Sequence, residues 1–452
     1  MNAEQDFAST PRGALREVGR NSIWAFGSTG VAALCLLAET IILARYLGPA
    51  AFGTLLLLIA YPEAVQQVLD FRARDAMTRY LGGFLAEGRT RDGVAIVKLL
   101  WLVDAAVGVL TLLFVVATAW IATELLLGDS DQARLMVIYS VGLFFGTLDT
   151  ASGSILRVLN RFAASFGAAA VGSVGRLALI VSVVVAGGGL EALIWARAGA
   201  ELLFTLVLGA VTLWAAVPVL WADRRTPIGV LRGRFGEIGR FLVSSSLIGT
   251  LRTASTKLDV IVVGLIASPV TVGLYRIAVR FGTTPLLLGD ALQTAVYPRF
   301  ARDVVLKRTD VMRHIAARAT LIVAVIVLPA ALFVAIAGDQ VITLLAGSAY
   351  DGAGTAFTLC FASASVAVLW FWAPALIMAT GHASRLLAIV AAAVAVQFGG
   401  LLVLVPEFGA AGAAGALAAS QLVLVTLQIG FVRRRRLLGD RVRERSSPTF
   451  AQ

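Results

Sequence analysis

The sequence predicts an all-α polytopic membrane protein, and three observations carry that prediction. Apolar runs of roughly 20 residues, the length that crosses a bilayer as a helix, recur along the whole chain. Of its 452 residues, 59% are hydrophobic and only 14% charged. The basic residues are not spread evenly but gather in every second connection between apolar runs. The formal net charge of +11 therefore reads first as topology. A nucleic-acid partner is not expected, because stacking aromatics are not interleaved with the arginines.

Taken in order, about twelve spans are expected, near 22–44, 51–69, 97–122, 134–156, 165–186, 191–217, 241–266, 271–293, 315–337, 355–378, 384–405 and 410–431. Residues 1–21 form a basic segment with Arg12, Arg16 and Arg20. The run that follows is too long for a signal-peptide core and is expected to stay as the first span. Arginines then recur around 72–91, at Arg157 and Arg161, through 224–240, around 299–313, at Arg385 and from Arg433 onward. The opposite set of connections holds Arg45 alone. This alternation predicts cytoplasmic termini. It divides the chain into a 22–221 lobe, a basic linker at 222–240, a 241–432 lobe and a basic tail at 433–452, six spans to each lobe.

The outer connections are short. The two longest, near 124–133 and 338–354, carry Asp129, Asp131, Asp339 and Asp351 and no Lys or Arg, too little for the outer domain of a membrane glycosyltransferase. The inner connections at 70–93 and 297–312 are amphipathic and are expected to lie along the headgroups. Cys35 and Cys360 fall within apolar runs, and His314 and His382 near span ends, so neither a disulfide framework nor a metal site is indicated. None of Lys98, Lys257 and Lys307 follows a glycine, which excludes a P-loop, and H-E-x-x-H is absent. No cofactor and no enzymatic activity are expected.

The chemistry concentrates at 249–298. Arg252, Lys257, Asp259, Arg276 and Arg280 lie inside two apolar segments hinged at Ser268-Pro269, and such charges persist in a bilayer only in a polar cavity or in pairs. Arg252 and Asp259 share one helical face, Arg276 and Arg280 another. Lys257 points roughly 140° away from Arg252. Further acids sit at Glu39, Asp104, Asp149, Glu201 and Asp290. Glu39 has no basic neighbour in its own helix and is the candidate for ion coupling, with Asp259 and Asp149 as coupling or charge-pairing acids. A cationic cavity would hold an anionic ligand through bidentate Arg and point-charge Lys contacts.

Internal repetition supports two halves. Pro49 and Gly53 recur as Pro269 and Gly273, 220 positions on, where half the chain is 226. Proline starts a helix without losing a needed donor, and glycine one turn later permits close packing.

At these residues the chain resembles a family. ARYLGPAAFGTLLL (44–57) looks like the A-R-x-L-G-P-x-x-F-G signature of bacterial polysaccharide and O-antigen flippases, the Wzx-like branch of the MOP (multidrug/oligosaccharidyl-lipid/polysaccharide) exporter superfamily. SILRVLNRF (154–162), LDVIVVGLIASPVTVGLYRIAVRF (258–281), AVYPRFAR (295–302), LLAGSAYDGAG (344–354), IMATGHASRLL (377–387) and GAAGAAGALAAS (409–420) follow in the family's order. A departure is Ile266-Ala267-Ser268, where Leu-Gly-Pro-like residues are commoner. The resemblance implies a MATE/MOP-like fold, V-shaped around a central cavity. It also implies a flippase that moves a polyprenyl-pyrophosphate-linked oligosaccharide across the membrane by alternating access, for O-antigen, capsule or exopolysaccharide synthesis. Membrane lipid and a glycan polymerase or ligase would be its partners. On that reading Arg252, Lys257, Arg276 and Arg280 bind the pyrophosphate and glycan, with Arg176 and Arg45 as second choices. The alternative is a MATE-type cation-coupled multidrug exporter, which would favour acids and aromatics over arginine.

Overall fold

The computed structural model describes the backbone at residues 11–306, 308–435 and 437, with side chains described there except at 11–26, 28, 29, 244, 245, 247–257, 294 and 295. Every regular element among the described residues is helical: α1 (Pro11–Leu69), α2 (73–86), α3 (Thr90–Leu127), α4 (Ala133–Val158), α5 (Phe162–Val185), α6 (Leu190–Leu220), α7 (Phe235–Ile266), α8 (Pro269–Gly282), α9 (Thr284–Val305), α10 (Thr309–Ala346), α11 (Gly354–Leu369), α12 (Trp372–Ala379) and α13 (Ala383–Arg434), with short turns of helix between some of them. Eight helices among the described residues are long and apolar enough to cross a membrane.

Two pairs of apolar runs that the hydropathy pattern separates are joined in the structure by one glycine each. Gly48 (φ 70°, ψ 172°) breaks α1, and Gly409 (φ 53°, ψ −126°) breaks α13. A side chain is strained at such positive φ, so a single glycine replaces a loop, and Pro49 restarts the helix at once.

The chain divides into two compact units, one formed by residues 1–47 and 54–261, the other by 48–53 and 262–452. In the first, α4 packs against α3 and α6, and α5 lies against α6. Glycines set these approaches. Gly142 leaves room only for the backbone of Ala198, and Gly172 for the ring of Phe204. With no hydrophobic drive between helices in lipid, such close backbone contact supplies the packing energy.

The amphipathic stretch at 70–93 does not present its apolar side to lipid. Met77, Tyr80, Leu81 and Phe84 of α2 are buried against Ile96 and Leu100 of α3, Ile155 of α4, and Leu231, Ile238 and Leu242. The expectation of a helix resting on headgroups is corrected here, because the same amphipathic period serves a protein face equally well. The basic stretch 222–240 covers this core. The Asp223 carboxylate accepts from the Thr90 hydroxyl and lies 3.5 Å from Arg91, while Lys98 Nζ donates to the carbonyls of Arg224 and Thr226 at 2.7 and 2.8 Å. The Tyr80 hydroxyl donates to Glu237 at 3.1 Å. Burial, and then that carboxylate, raise the Tyr80 pKa above its ordinary value. The second inner stretch, 297–312, likewise turns Phe300 and Met312 into a protein core with Trp372 and Leu376.

In the second unit α11 is central, packed against α8, α10 and α13. Here the two P-x-x-x-G copies meet. A Cβ at Gly53 would overlap the Pro269 carbonyl, and one at Gly273 would overlap the Pro49 carbonyl. Each copy's glycine thus seats the other copy's proline, a reciprocal contact that spacing alone does not reveal.

Candidate functional site

A cluster of ionisable side chains lies inside the membrane-spanning part of the first unit. Glu39, on the first half of α1, is 2% exposed. It is held by two arginines from other helices: Arg176 of α5, with Nε 3.2 Å from Oε2, and Arg197 of α6, whose guanidinium donates to Oε1. A buried carboxylate left alone would be costly, and two guanidinium groups offset that cost only because the geometry is close. The sequence marks Glu39 as an acid without a partner in its own helix, and the structure supplies the partners from two others. Arg176 and Glu39 are therefore the two sequence-predicted site residues brought into contact.

Three more groups complete the cluster. Glu63, on the second half of α1, accepts from the Tyr139 hydroxyl of α4 at 2.9 Å. Glu201 follows Arg197 by one turn of α6, and its Oε2 would lie 3.2 Å from a Cβ built on Gly146. Asp149, three residues after Gly146 on α4, has a buried Oδ1 with no hydrogen-bond partner. Arg197, Glu63 and Tyr139 were not selected from the sequence. The signal was present in W-A-R-A-G-A-E, where Arg197 and Glu201 stand four apart in an otherwise apolar span.

A partly open cavity of about 240 Å³ adjoins the cluster, lined by Gly172, Ser173 and Arg176 of α5 and Ala200, Glu201 and Phe204 of α6. Arg176 reaches Glu39 through Nε, and its terminal nitrogens make no hydrogen bond to a described residue. Those N–H groups are donors for an anion in the cavity. The Glu201 carboxylate lines the same cavity within electrostatic reach of Arg197 and Arg176, so the cavity holds a cationic and an acidic group together.

The other predicted residues are placed as follows. Arg276 and Arg280 lie one turn apart on α8 in the second unit, both half-buried. Asp259 is buried, with Oδ1 accepting from the Val260 amide at 2.8 Å. Arg45 is exposed at the end of the first half of α1, and Asp290 is exposed rather than buried. Arg252 and Lys257 fall in α7 with their side chains outside the described residues. Asp104 is buried in α3, and its Oδ2 has no partner. Among the described residues no group of three or more His, Cys, Asp or Glu side chains is arranged to hold a metal ion.

A family model described as "Polysaccharide biosynthesis protein" matches residues 42–355. The chain belongs to the polysaccharide biosynthesis protein family. No curated protein matches it. Among solved structures, this family member is similar to an inward-facing multidrug resistance MATE family transporter of the MOP superfamily, at 15% identity over 91% of this chain and 96% of that one, with a TM-score of 0.73. It is similar to the lipid II flippase MurJ in an inward closed conformation, at 13% identity over 92% and 89%, with a TM-score of 0.69. A MOP superfamily transporter from Pyrococcus furiosus, described as having a binding pocket of reverse polarity, follows at 17% identity over 96% and 98%, with a TM-score of 0.62. The fold is that of MOP superfamily transporters, and the protein is a multi-pass membrane protein.

Proposed function

We propose that the protein is a flippase or exporter that moves a polyprenyl-pyrophosphate-linked oligosaccharide across the cytoplasmic membrane by alternating access, in the synthesis of a surface polysaccharide. Membership of the polysaccharide biosynthesis family supports the pathway. The observation that carries the mechanism is Arg176, which pairs through Nε with the buried Glu39 and lines a cavity inside the membrane-spanning part. A pyrophosphate fits its N–H donors, because a guanidinium in a site of low dielectric binds a doubly charged oxyanion through several short hydrogen bonds.

In this reading the Glu39 carboxylate fixes Arg176 and Arg197, and Glu201 is the acid whose charge adjusts the cavity. With Glu201 ionised its charge offsets that of Arg176, and with Glu201 protonated the cavity is cationic and fit for the headgroup. Ion or proton coupling passes in this reading from Glu39 to Glu201, since Glu39 is committed to two arginines. Arg276 and Arg280, together with Arg252, Lys257 and Arg45, would extend the cationic path in the remainder of the translocation cycle. The termini would be cytoplasmic, the polyprenyl tail would stay in lipid, and a polymerase or ligase would receive the product.

The second reading, a cation-coupled multidrug exporter, is favoured by one specific observation, the open carboxylate of Glu201 beside Phe204 in the same cavity. Cells of the native host carrying Arg176→Gln separate the two. The flippase reading requires lipid-linked oligosaccharide to build up on the cytoplasmic side and surface glycan to fall by at least tenfold, with protein abundance unchanged. Normal surface glycan with lost efflux of an organic cation such as ethidium would replace it with the exporter reading.

A further inference from the structure

We infer that the first three turns of α10, in the second unit, carry a binding site for an amine-bearing phospholipid headgroup, that of phosphatidylethanolamine. A shallow hollow of about 280 Å³ there is lined by Asp310, Val311, His314, Ile315 and Arg318. Both signs of charge stand in its wall. Asp310, His314 and Arg318 are exposed, and among the described residues none of the three forms an ion pair or hydrogen bond. Arg308 and Arg313, the nearest described arginines in sequence, are exposed as well, and neither pairs with Asp310.

The depth of the hollow in the bilayer follows from the sequence. Residues 319–338 carry no charge, a length that spans the hydrocarbon. Arg318 therefore stands at its boundary, with His314 and Asp310 one and two turns further out. Inward, the same side of α10 continues as Leu321, Ile322 and Val325, at 65%, 64% and 67% exposure. An open stripe so wholly apolar faces acyl chains, so the surface just outside it faces headgroups, and bilayer phospholipid is what covers the hollow. Helical side chains lean toward the N-terminal end, and a boundary arginine snorkels the same way. The Arg318 guanidinium thus reaches the level of His314, and the Asp310 carboxylate lies about one helical turn beyond. Cation nearer the hydrocarbon and anion nearer the water is the complement of a phosphoethanolamine group, whose phosphate sits at the glycerol and whose ammonium is carried outward. The phosphate accepts from Arg318 and His314, and the ammonium donates to Asp310. Phosphatidylcholine has no N–H to give that carboxylate, and phosphatidylglycerol brings an anion with no cation for it.

The test uses the full-length protein in nanodiscs, with Ile322→Cys, one turn inside Arg318, labelled by bimane and Leu206→Cys, at a site 60% exposed, as the control. Cys35 and Cys360 are buried and are left in place. Quenching is titrated with phosphatidylethanolamine, phosphatidylcholine and phosphatidylglycerol, each brominated in its acyl chains. At Ile322 the ethanolamine lipid should half-quench at a mole fraction about fivefold below either of the others, with no preference at Leu206. Asp310→Asn should bring it level with phosphatidylcholine, Asp310→Glu should keep the difference, and Arg318→Gln should raise the half-quenching fraction for all three lipids. Equal quenching by the three at Ile322 in the native background overturns the proposal. So does phosphatidylglycerol ahead of phosphatidylethanolamine, which would make the hollow a contact for anionic lipid, and so does a preference that survives Asp310→Asn.

Discussion

Among the described residues, the first unit buries the acids Glu39, Asp104 and Asp259 among hydroxyls such as Thr123, Thr147 and Ser154, whereas the second buries a single acid, Asp303, with the hydroxyls Ser363, Ser365 and Ser420 and the amides Gln397, Gln421 and Gln428. Neutral amides and hydroxyls can satisfy themselves on nearby carbonyls, as Ser363 does on Cys360 and Ser365 on Phe361. A carboxylate has no proton to give a carbonyl and needs donors instead, which Glu39 finds in Arg176 and Arg197 and Asp259 in the Val260 amide. The first unit therefore adds ion pairs that cross between helices to its close glycine contacts, and the second relies on backbone contacts such as the Gly53–Pro269 and Gly273–Pro49 pair. The difference predicts that charge substitutions act chiefly on the first unit, while size substitutions at the closely packed glycines act on both.

The largest effect is expected from Arg197→Met, which leaves Glu39 buried with Arg176 alone. Breaking a buried ion pair from one side costs about 3–5 kcal/mol. Thermal unfolding in detergent should show the loss, and Glu39→Gln in the same chain should recover part of it. An additive double mutant would mean that the two groups do not depend on each other.

Next in size is Gly53→Val or Gly273→Val, each driving a side chain into a proline carbonyl, with an expected cost of about 1–3 kcal/mol or more. Gly167→Ala and Gly175→Ala, where a Cβ meets nothing within 4 Å, should instead be neutral or stabilising by up to about 1 kcal/mol through helix propensity. Equal damage at all four positions would remove the special role of the P-x-x-x-G pair.

The smallest effect belongs to the α2 face. Tyr80→Phe removes the bond to Glu237 and should cost about 1 kcal/mol, read as faster proteolysis or hydrogen exchange of residues 73–86. Because the Tyr80 pKa is raised on folding, its contribution is fully present below the ordinary tyrosine value and is lost as the pH rises through the higher folded value. Loosening of α2 should accordingly appear only above about pH 10 in the native chain and be absent in the Phe variant.

How much of this was legible beforehand follows from the length scale of each feature. Span positions and the breaks at Gly48 and Gly409 are local, so apolar runs and the L-G-P triplet reveal them. Glu39 and Arg176 stand out for the same reason, as lone charges in apolar runs. Their contact is not local: Glu39 and Arg176 are more than a hundred residues apart, and nothing in either run names the other. The destination of α2 was hidden by a different cause, since lipid and protein both accept its apolar face. Proline and glycine 220 positions apart announce a repeat, but only the packed helices show that the two copies hold each other.

The central claim is that Arg176 turns its free donors to an anionic headgroup. It is tested most directly by the affinity of the purified protein in nanodiscs for a polyprenyl-pyrophosphate-linked oligosaccharide, measured for the native chain, Arg176→Gln and Glu201→Gln. The account predicts a loss of about tenfold or more for Arg176→Gln, the equivalent of roughly 1.4 kcal/mol, and unchanged or tighter binding for Glu201→Gln. Native affinity in Arg176→Gln together with lost binding in Glu201→Gln would contradict it.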